Sequence, residues 1–210
     1  IMEILCRNVN QALEEGLWWL HTAGVRQNSR NGPVLVAPGP VCTTYKNPQE
    51  RVLLYAERDA NPFFHLMEAL WMLEGRNDVA FVNYFAKQMQ QYSDDGITLH
   101  GAYGHRWRHH FEHDQLDWCI DQLRANPTTR RAVLGMWDPM EDPPTATHGG
   151  LDLPCNVCAF FDTIDGRLNM TVCCRSNDVI WGAYGANAVH FSVLLEYVAF
   201  CAGLPMGVYR

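Results

Sequence analysis

A cysteine and an arginine lie at the two ends of a predicted β-hairpin. Asp165-Gly166 separates two alternating apolar runs, residues 159–164 and 168–174, and this dipeptide accepts the positive φ angles of a tight turn. Cys155 and Arg175 stand at the outer ends, so we expect them to be neighbours. A nearby guanidinium favours the thiolate form of a thiol, and the thiolate is the nucleophile. The alternative is an ordinary buried cysteine and a surface arginine, but the proline before the cysteine and the serine after the arginine favour chemistry.

The residues around this hairpin resemble those of the thymidylate synthase family. That family has a Pro-Cys nucleophile, an Arg-Ser-x-Asp segment at this separation and three further motifs upstream. The chain has similar motifs in the same order, over roughly residues 8–205: Pro154-Cys155 with Arg175-Ser176-x-Asp178, Tyr103-Gly104-His105-Arg106-Trp107-Arg108, Arg130-Arg131 with Trp137, and Glu68-x-Leu70-Trp71-x-Leu73-x-Gly75. Each motif alone is weak, and together they are specific.

The resemblance implies covalent catalysis on a pyrimidine nucleoside monophosphate. The Cys155 thiolate would add to C6 of the ring, which makes C5 nucleophilic toward the one-carbon unit of 5,10-methylenetetrahydrofolate. Tyr103 would help to position water for removal of the C5 proton, and Glu68 would organise water and protons around the ring. Judged without the family, Glu68 would be an exposed side chain, because a carboxylate is costly to bury among apolar residues.

The resemblance also implies how the ligands are held. Guanidinium groups suit phosphate oxygens, and the implied phosphate ligands are Arg175 and Ser176 of one subunit, Arg130 and Arg131 of the other, and Arg30. The chain would therefore form a homodimer with shared active sites. Asp178 would bind the pterin ring of the folate. A solvated side chain is the alternative for Arg30, as a polar surface is for Arg130 and Arg131.

Some positions depart from the thymidylate synthase pattern. Asn156 replaces the histidine after the nucleophile, and Met89 and Tyr92 replace two tryptophans that pack beside the folate. Counting without gaps from the Arg-Ser segment puts Ala186 in the place of the asparagine that reads uracil, with Asn187 one position later. An asparagine pairs with N3–H and O4 of uracil, and alanine removes this pair. The chain thus resembles the cytidylate 5-hydroxymethylases, which act on CMP or dCMP, and water rather than hydride would complete the reaction.

Three alternatives remain open. The first is a thymidylate synthase or a uridylate 5-hydroxymethylase that acts on dUMP. The second is a regulatory homologue that binds folate or nucleotide without turnover. The third is a zinc or redox protein built on Cys155 and Cys158. The cysteines do not form the paired Cys-x-x-Cys motifs of structural zinc, and the histidines at 105, 109, 110 and 113 are more simply a solvated segment. We therefore expect no metal.

Composition limits the class of protein. The chain has 210 residues, of which 48% are hydrophobic, and a formal charge of −7. This length predicts one catalytic domain, residues 1–210, and the family's C-terminal His-x-Tyr segment is expected beyond it. The negative charge argues against nucleic acid or a membrane surface as main partner. Neither a spanning segment nor a signal peptide is evident. A reactive thiol needs a reducing compartment, so we expect a cytoplasmic location.

Patterning predicts a mixed α/β fold. Helical spacing of apolar residues predicts helices over residues 8–22, 61–75, 78–92, 114–126 and 183–201. We expect strands near residues 34–36, 41–45, 52–55 and 130–137, besides the hairpin, and a loop over 140–150. By resemblance, these elements form a twisted, mainly antiparallel sheet. Helices would cover one face, and the dimer interface would lie on the other.

Overall fold

A computed structural model describes residues 2–29 and 32–210. The strands in these ranges are β1 (Met2–Cys6), β2 (Val25–Ser29), β3 (Gly32–Val36), β4 (Val41–Tyr45), β5 (Val133–Gly135), β6 (Asn156–Ile164), β7 (Arg167–Cys174) and β8 (Met206–Tyr209). The α-helices are α1 (Val9–Ala23), α2 (Pro62–Leu73), α3 (Val79–Phe85), α4 (Tyr103–His105), α5 (Gln115–Ala125), α6 (Asp142–Thr147) and α7 (Asn187–Ala202).

Shorter helical segments connect these elements. Two are 3₁₀ turns, Ala56–Arg58 and Lys87–Tyr92, and two are π-helical, Arg106–His110 and Val179–Ala186. The π-helical segments continue α4 and lead into α7. An α-helix that carries such a wide turn accommodates an extra residue relative to regular spacing, and these turns are frequent at functional sites.

A six-stranded sheet in the order β1-β4-β8-β7-β6-β5 forms the centre of the fold. The pairs β4–β8, β5–β6 and β6–β7 are antiparallel, and β1–β4 and β7–β8 are parallel. The predicted mixed fold with a mainly antiparallel sheet is therefore confirmed. The longest pair is the predicted hairpin β6–β7, where Asp165 and Gly166 turn the chain with φ angles of 50° and 72°.

One face of this sheet carries the core. Ala159 and Phe161 of β6 and Leu168 and Met170 of β7 are buried in the same apolar cluster as α5 and α7. Alternate side chains point the other way, and Phe160 on that opposite face is 39% exposed. Helices thus cover the face that carries this cluster, and the opposite face is open in the single chain.

Local capping explains where the helices begin and end. The Asn8 side chain accepts hydrogen bonds from two backbone N–H groups of α1, and Asn61 caps α2, with Pro62 in its first turn. Gly203 ends α7 with φ 72°, a left-handed conformation that glycine adopts without strain. The predicted boundaries of α1, α2 and α5 lie within two residues of those observed.

Other predicted elements were wrong. Residues 52–55 form no strand: the Val52 carbonyl and the Leu54 N–H bind the Asn10 side chain of α1 instead of a neighbouring strand. Strand β3 pairs with β2 in a separate two-stranded ribbon rather than with the main sheet. The segment 140–150 contains the short helix α6, and the strand expected over 130–137 is confined to Val133–Gly135.

The last helical segment, Val179–Ala202, is long and apolar enough by composition to cross a membrane. Its most apolar window is 56% buried inside the fold. Phe191, Leu194, Leu195 and Val198 are inaccessible to solvent within the core. Packing against the sheet therefore accounts for the apolar character of this segment.

Candidate active site

Cys155 and Arg175 are adjacent at the open end of the β6–β7 hairpin. The Arg175 N–H donates to the Cys155 carbonyl at 2.9 Å, and a terminal guanidinium nitrogen lies 4.0 Å from the Cys155 sulfur. The guanidinium also donates to the Pro154 carbonyl at 2.9 Å and lies 5.4 Å from the centre of the Trp137 ring. Three contacts therefore hold a positive charge beside the half-buried thiol.

Tyr103 binds the backbone at Cys155. Its hydroxyl oxygen accepts the N–H groups of Cys155 and Asn156 at 3.1 and 3.2 Å. Burial raises the pKa of Tyr103 to about 12, so the hydroxyl keeps its proton at neutral pH. Because both contacts use the oxygen as acceptor, the O–H proton is available to a water molecule or a ligand.

Glu68 is shielded from solvent. Without the family resemblance, its apolar neighbours in the sequence predicted an exposed side chain. Its carboxylate lies 2.9 Å from the His190 ring, and the two side chains are 15% and 5% exposed. Burial, followed by the nearby His190, lowers the pKa of His65 to about 4. Sequence reasoning missed His65 and His190; the signal for His190 was a single histidine in the apolar run of α7.

A line of polar side chains extends from Asn156 along the hairpin. The Cys174 thiol donates to the Asn156 amide oxygen at 2.6 Å, and the Asn177 amide nitrogen donates to the Cys174 sulfur at 3.5 Å. The Asn187 amide nitrogen donates in turn to the Asn177 amide oxygen at 3.3 Å. Sequence reasoning did not assign Cys174 and Asn177 to the site, because Cys174 precedes the Arg-Ser-x-Asp motif and Asn177 stands at its unspecified position.

Asn187, rather than Ala186, points its polar group toward this line. The preceding π-helical segment contains two residues with non-helical angles, Tyr184 (φ −109°, ψ 31°) and Gly185 (φ −138°, ψ −116°). Regular α-helical geometry is therefore interrupted just before α7 begins. Of the two residues assigned to base recognition, Asn187 has a side-chain hydrogen bond to this line and Ala186 has no polar side-chain group. Their assignment to the base stays a prediction.

The two other residues of the Arg-Ser segment lie on the exposed surface beside Arg175. Ser176 is solvent-exposed. Asp178 caps the π-helical segment, because its Oδ1 accepts the N–H groups of Ile180 and Trp181, both at 2.8 Å. The cap leaves Oδ2 available. Trp181 is 72% exposed, and the Arg58 guanidinium lies 5.5 Å from its ring centre.

Among the described residues, four other predicted site residues make no hydrogen bond to Cys155. Met89 is half-buried against the core, and Tyr92, on the same 3₁₀ turn, is 43% exposed. Arg130 and Arg131 are exposed next to Ala132, whose carbonyl pairs with Phe161. Phe161 is six residues along β6 from Cys155, a distance of about 20 Å. Arg30 lies outside the described residues.

The histidine-rich segment is less solvated than predicted. The His110 side chain is 13% exposed, and its Nε2 lies 2.8 Å from Asp138 and 3.7 Å from Glu141. These three side chains have donor atoms within 4.8 Å of one another, close enough to share a metal ion. The 2.8 Å contact is itself a hydrogen bond, which already joins the segment after α4 to the chain before α6.

All eight cysteines are free thiols. Cys158 faces Cys173 across the hairpin rather than Cys155. The pairing of Cys155 with Cys158 that a redox protein would need is therefore not the arrangement seen. Cys173 and Cys174 lie on opposite faces of β7, as strand alternation predicts.

Comparison with known proteins identifies the class to which this fold and site belong. The profile of the thymidylate synthase family, described as "Thymidylate synthase", matches residues 17–209. The chain belongs to the thymidylate synthase family.

Individual relatives narrow this similarity. The chain is 60% identical over 208 residues to the deoxyuridylate hydroxymethyltransferase of Pseudomonas phage M6, which covers 99% of this chain and 58% of the relative. It is 38% identical over 180 residues to the deoxyuridylate hydroxymethyltransferase of Bacillus phage SP01, a match that covers 81% of this chain and 46% of the relative. It is 42% identical over 106 residues to a putative thymidylate synthase of Methanothermobacter thermautotrophicus, a match that covers 50% of this chain and 45% of the relative. The chain spans about half the length of the curated relatives it matches.

Proposed function

We propose that this protein catalyses folate-dependent hydroxymethylation of a pyrimidine nucleoside monophosphate at C5, with dUMP as substrate. The observation that carries the proposal is the position of Cys155: its thiol lies beside the Arg175 guanidinium, and its backbone N–H donates to the Tyr103 hydroxyl. The two phage relatives are deoxyuridylate hydroxymethyltransferases, which favours deoxyuridylate over the cytidylate that the sequence suggested. The earlier alternative, a uridylate 5-hydroxymethylase, is therefore our preferred function.

A uracil base is also compatible with the contacts of Asn187. Asn187 begins α7 with its amide nitrogen 3.3 Å from Asn177, one side chain removed from Cys174 at the end of β7. An amide in this place offers one acceptor and one remaining N–H donor, the pair that N3–H and O4 of uracil require. The inference of a cytosine base rested on Ala186, which offers no polar side-chain group.

The reaction follows from the roles of the residues. The Cys155 sulfur forms a bond to C6, and the electron pair of the C5–C6 double bond becomes available at C5. The cofactor 5,10-methylenetetrahydrofolate supplies the one-carbon unit that C5 attacks. Water held by Tyr103 would accept the C5 proton. The bond between the one-carbon unit and the folate nitrogen would break as this proton leaves, so that tetrahydrofolate departs and an exocyclic methylene remains on the nucleotide. Water then adds its oxygen to the exocyclic methylene of the nucleotide, and departure of Cys155 from C6 restores the double bond.

The residues near Asp178 fit a folate. The Asp178 Oδ2 atom is not used by the helix cap and can accept a pterin N–H. Trp181 offers an exposed flat ring one turn away, beside a guanidinium. Met89 and Tyr92 are assigned to the cofactor only by their positions in the family pattern.

Phosphate binding requires a second copy of the chain in this proposal. Arg175 and Ser176 lie at the nucleophile, whereas Arg130 and Arg131 are about 20 Å along β6 from it. They can serve a phosphate at another subunit's Cys155, and the open face of the sheet is the surface through which two subunits would meet. Mixing a Cys155→Ser protein with an Arg131→Ala protein tests this: activity above that of either variant alone supports shared sites, and no gain on mixing contradicts them.

Proton release from C5 tests the activity itself. Tritiated dUMP, dCMP and CMP are incubated with the protein, with and without methylenetetrahydrofolate, and the product mass is determined. We expect folate-dependent release from dUMP, a hydroxymethyl product, and loss of nearly all release in Cys155→Ser. The Cys173→Ser variant, which changes an exposed thiol on the same hairpin, is the control. Release without folate, or a methyl product, would contradict the proposal.

A reactive thiol operates in reducing surroundings, and we propose the cytoplasm as the location of the protein.

A further inference from the structure

The amides of Asn187 and Asn156 are joined by two intervening side chains. Donors and acceptors alternate along the series without reversal: the Asn187 amide nitrogen donates to Asn177, Asn177 donates to the Cys174 sulfur, and the Cys174 thiol donates to Asn156. We call the four residues the amide relay. The two middle members, Asn177 and Cys174, each use one donor and one acceptor, whereas Asn187 donates and Asn156 accepts, so the orientation of each amide depends on its neighbours.

The contact between Asn177 and Asn187 depends on the glycine at position 182. A Cβ atom placed on Gly182 would lie 2.1 Å from the Asn177 amide oxygen and 3.5 Å from the Asn187 amide nitrogen. Only glycine at position 182 therefore leaves room for the contact between the two asparagines. The Asn156 side chain at the other end of the relay is fully buried.

Reversing one amide alone would be unfavourable. If the Asn187 amide rotated by half a turn, its oxygen would face the Asn177 oxygen, and a hydrogen bond would become a repulsive contact. To restore good contacts, Asn177, the Cys174 thiol and Asn156 would all have to reverse together. A lone asparagine at position 187 would be free to rotate.

This constraint has a consequence for base recognition. Uracil needs an acceptor facing N3–H and a donor facing O4, whereas cytosine needs the same two groups in reversed positions. A freely rotating amide can satisfy both bases, and an amide fixed in one orientation satisfies one of them. Discrimination then comes from the unfavourable contacts that the other base would make.

We propose that Cys174 and Asn177 are specificity-determining residues that act through Asn187, by fixing the orientation of its amide so that it pairs with uracil and rejects cytosine. The inference rests on the proposed function, because it concerns the nucleotide at the same site. Neither residue is proposed to take part in bond formation. Both are positioning residues, and their effect is on the choice between two bases.

Equilibrium binding separates this role from a general structural one. Dissociation constants for dUMP and dCMP are measured by calorimetry, without folate, for the unmodified protein and for Cys174→Ala and Asn177→Ala. We expect the ratio of the dCMP constant to the dUMP constant to fall by about tenfold in each variant, the size of one lost hydrogen bond. Circular dichroism verifies that each variant is folded.

Two further variants serve as comparison. Cys174→Ser keeps a donor and an acceptor at the same place, so it should retain most of the discrimination and remains informative if the alanine variant does not fold. Cys173→Ala removes the neighbouring thiol on the opposite face and should leave the ratio unchanged. If the ratio stays constant in Cys174→Ala and Asn177→Ala, the relay is overturned. The proposed function still stands in that case, provided that the protein releases the C5 proton of dUMP. Equal binding of dUMP and dCMP by the unmodified protein also overturns the relay, and binding of neither nucleotide overturns the proposed function as well.

Discussion

The Arg175 guanidinium donates to the carbonyl oxygen of Pro154 at 2.9 Å, so the charge is attached to the residue that precedes Cys155. The backbone N–H of Arg175 binds the Cys155 carbonyl. The two ends of the hairpin are therefore joined by both main chain and side chain. Any movement of Arg175 relative to Cys155 has to break one of these bonds.

Replacement of Arg175 by lysine should lower activity although the charge is retained. Lysine lacks the planar group that binds Pro154 and lies against Trp137, and its charge is not fixed beside the sulfur. We expect alkylation of Cys155 by iodoacetamide at pH 7 to slow by about tenfold, and C5 proton release to fall by about a hundredfold. Arg167→Lys, an exposed change on the same hairpin, is the control, and equal alkylation rates in the two variants would contradict the proposed role of Arg175.

Tyr103→Phe should reduce both stability and activity. The substitution removes the acceptor for two backbone N–H groups at the nucleophile, and an unsatisfied buried donor costs about 1–3 kcal/mol. We expect the free energy of unfolding in urea to fall by about 2 kcal/mol and C5 proton release to fall by about a hundredfold. Tyr84→Phe, which alters an 82% exposed ring, should change neither quantity. A fully active Tyr103→Phe protein would exclude a role in proton removal.

The sequence predicted those parts of the site that depend on local pattern. The Asp165-Gly166 turn fixes the hairpin register, and the register brings Cys155 to Arg175. The contact between Asn187 and Asn177 could not be predicted in this way, because the backbone between them is irregular at Tyr184 and Gly185 and follows no local repeat. The same holds for residues 52–55, whose apolar and β-branched composition suits a strand but whose backbone binds Asn10 of α1. Long-range side-chain contacts decide such cases, and local propensity does not contain them.

Gly104→Ala should disturb the packing that places Tyr103. A Cβ atom at position 104 would lie 1.9 Å from the Met72 carbonyl oxygen in α2. Because the obstacle is backbone, the helices have to separate, and we expect a loss of about 3 kcal/mol or more in the free energy of unfolding. In Gly39→Ala the new Cβ meets nothing within 4 Å, so this variant controls for the glycine substitution itself. Equal stability of the two variants would show that α2 and α4 can move apart freely.

Asp142 and Arg106 form an ion pair that is inaccessible to solvent on both sides. The two carboxylate oxygens of Asp142 accept from Arg106 at 2.8 and 3.0 Å, and one of them also contacts His100. Asp142→Asn keeps the shape but leaves the arginine charge uncompensated, which costs about 3–5 kcal/mol in buried pairs. Urea unfolding measures the loss. The matched change Asp121→Asn, in the exposed pair with Arg124, should cost at most about 0.5 kcal/mol.

His65 should make the stability of the fold depend on pH. Burial and then the neighbouring His190 lower the pKa of His65 from 6.5 to about 4 in the folded chain. In the unfolded chain the residue keeps its ordinary pKa, so below pH 6.5 the unfolded state binds the additional proton. Its contribution to stability is therefore present above pH 6.5 and is lost as the pH falls toward 4. Part of the ring remains in contact with solvent, and we expect a loss of about 1–2 kcal/mol between pH 8 and pH 5.

The variant His65→Gln measures this contribution, because glutamine does not titrate in this range. Its free energy of unfolding should change less between pH 8 and pH 5 than that of the unmodified protein, by the same 1–2 kcal/mol or so. Between pH 8 and pH 9 the two proteins should behave alike, since His65 is then neutral in both states. Identical losses down to pH 5 would mean that His65 is protonated in the folded chain, in contact with Glu68 rather than isolated by burial.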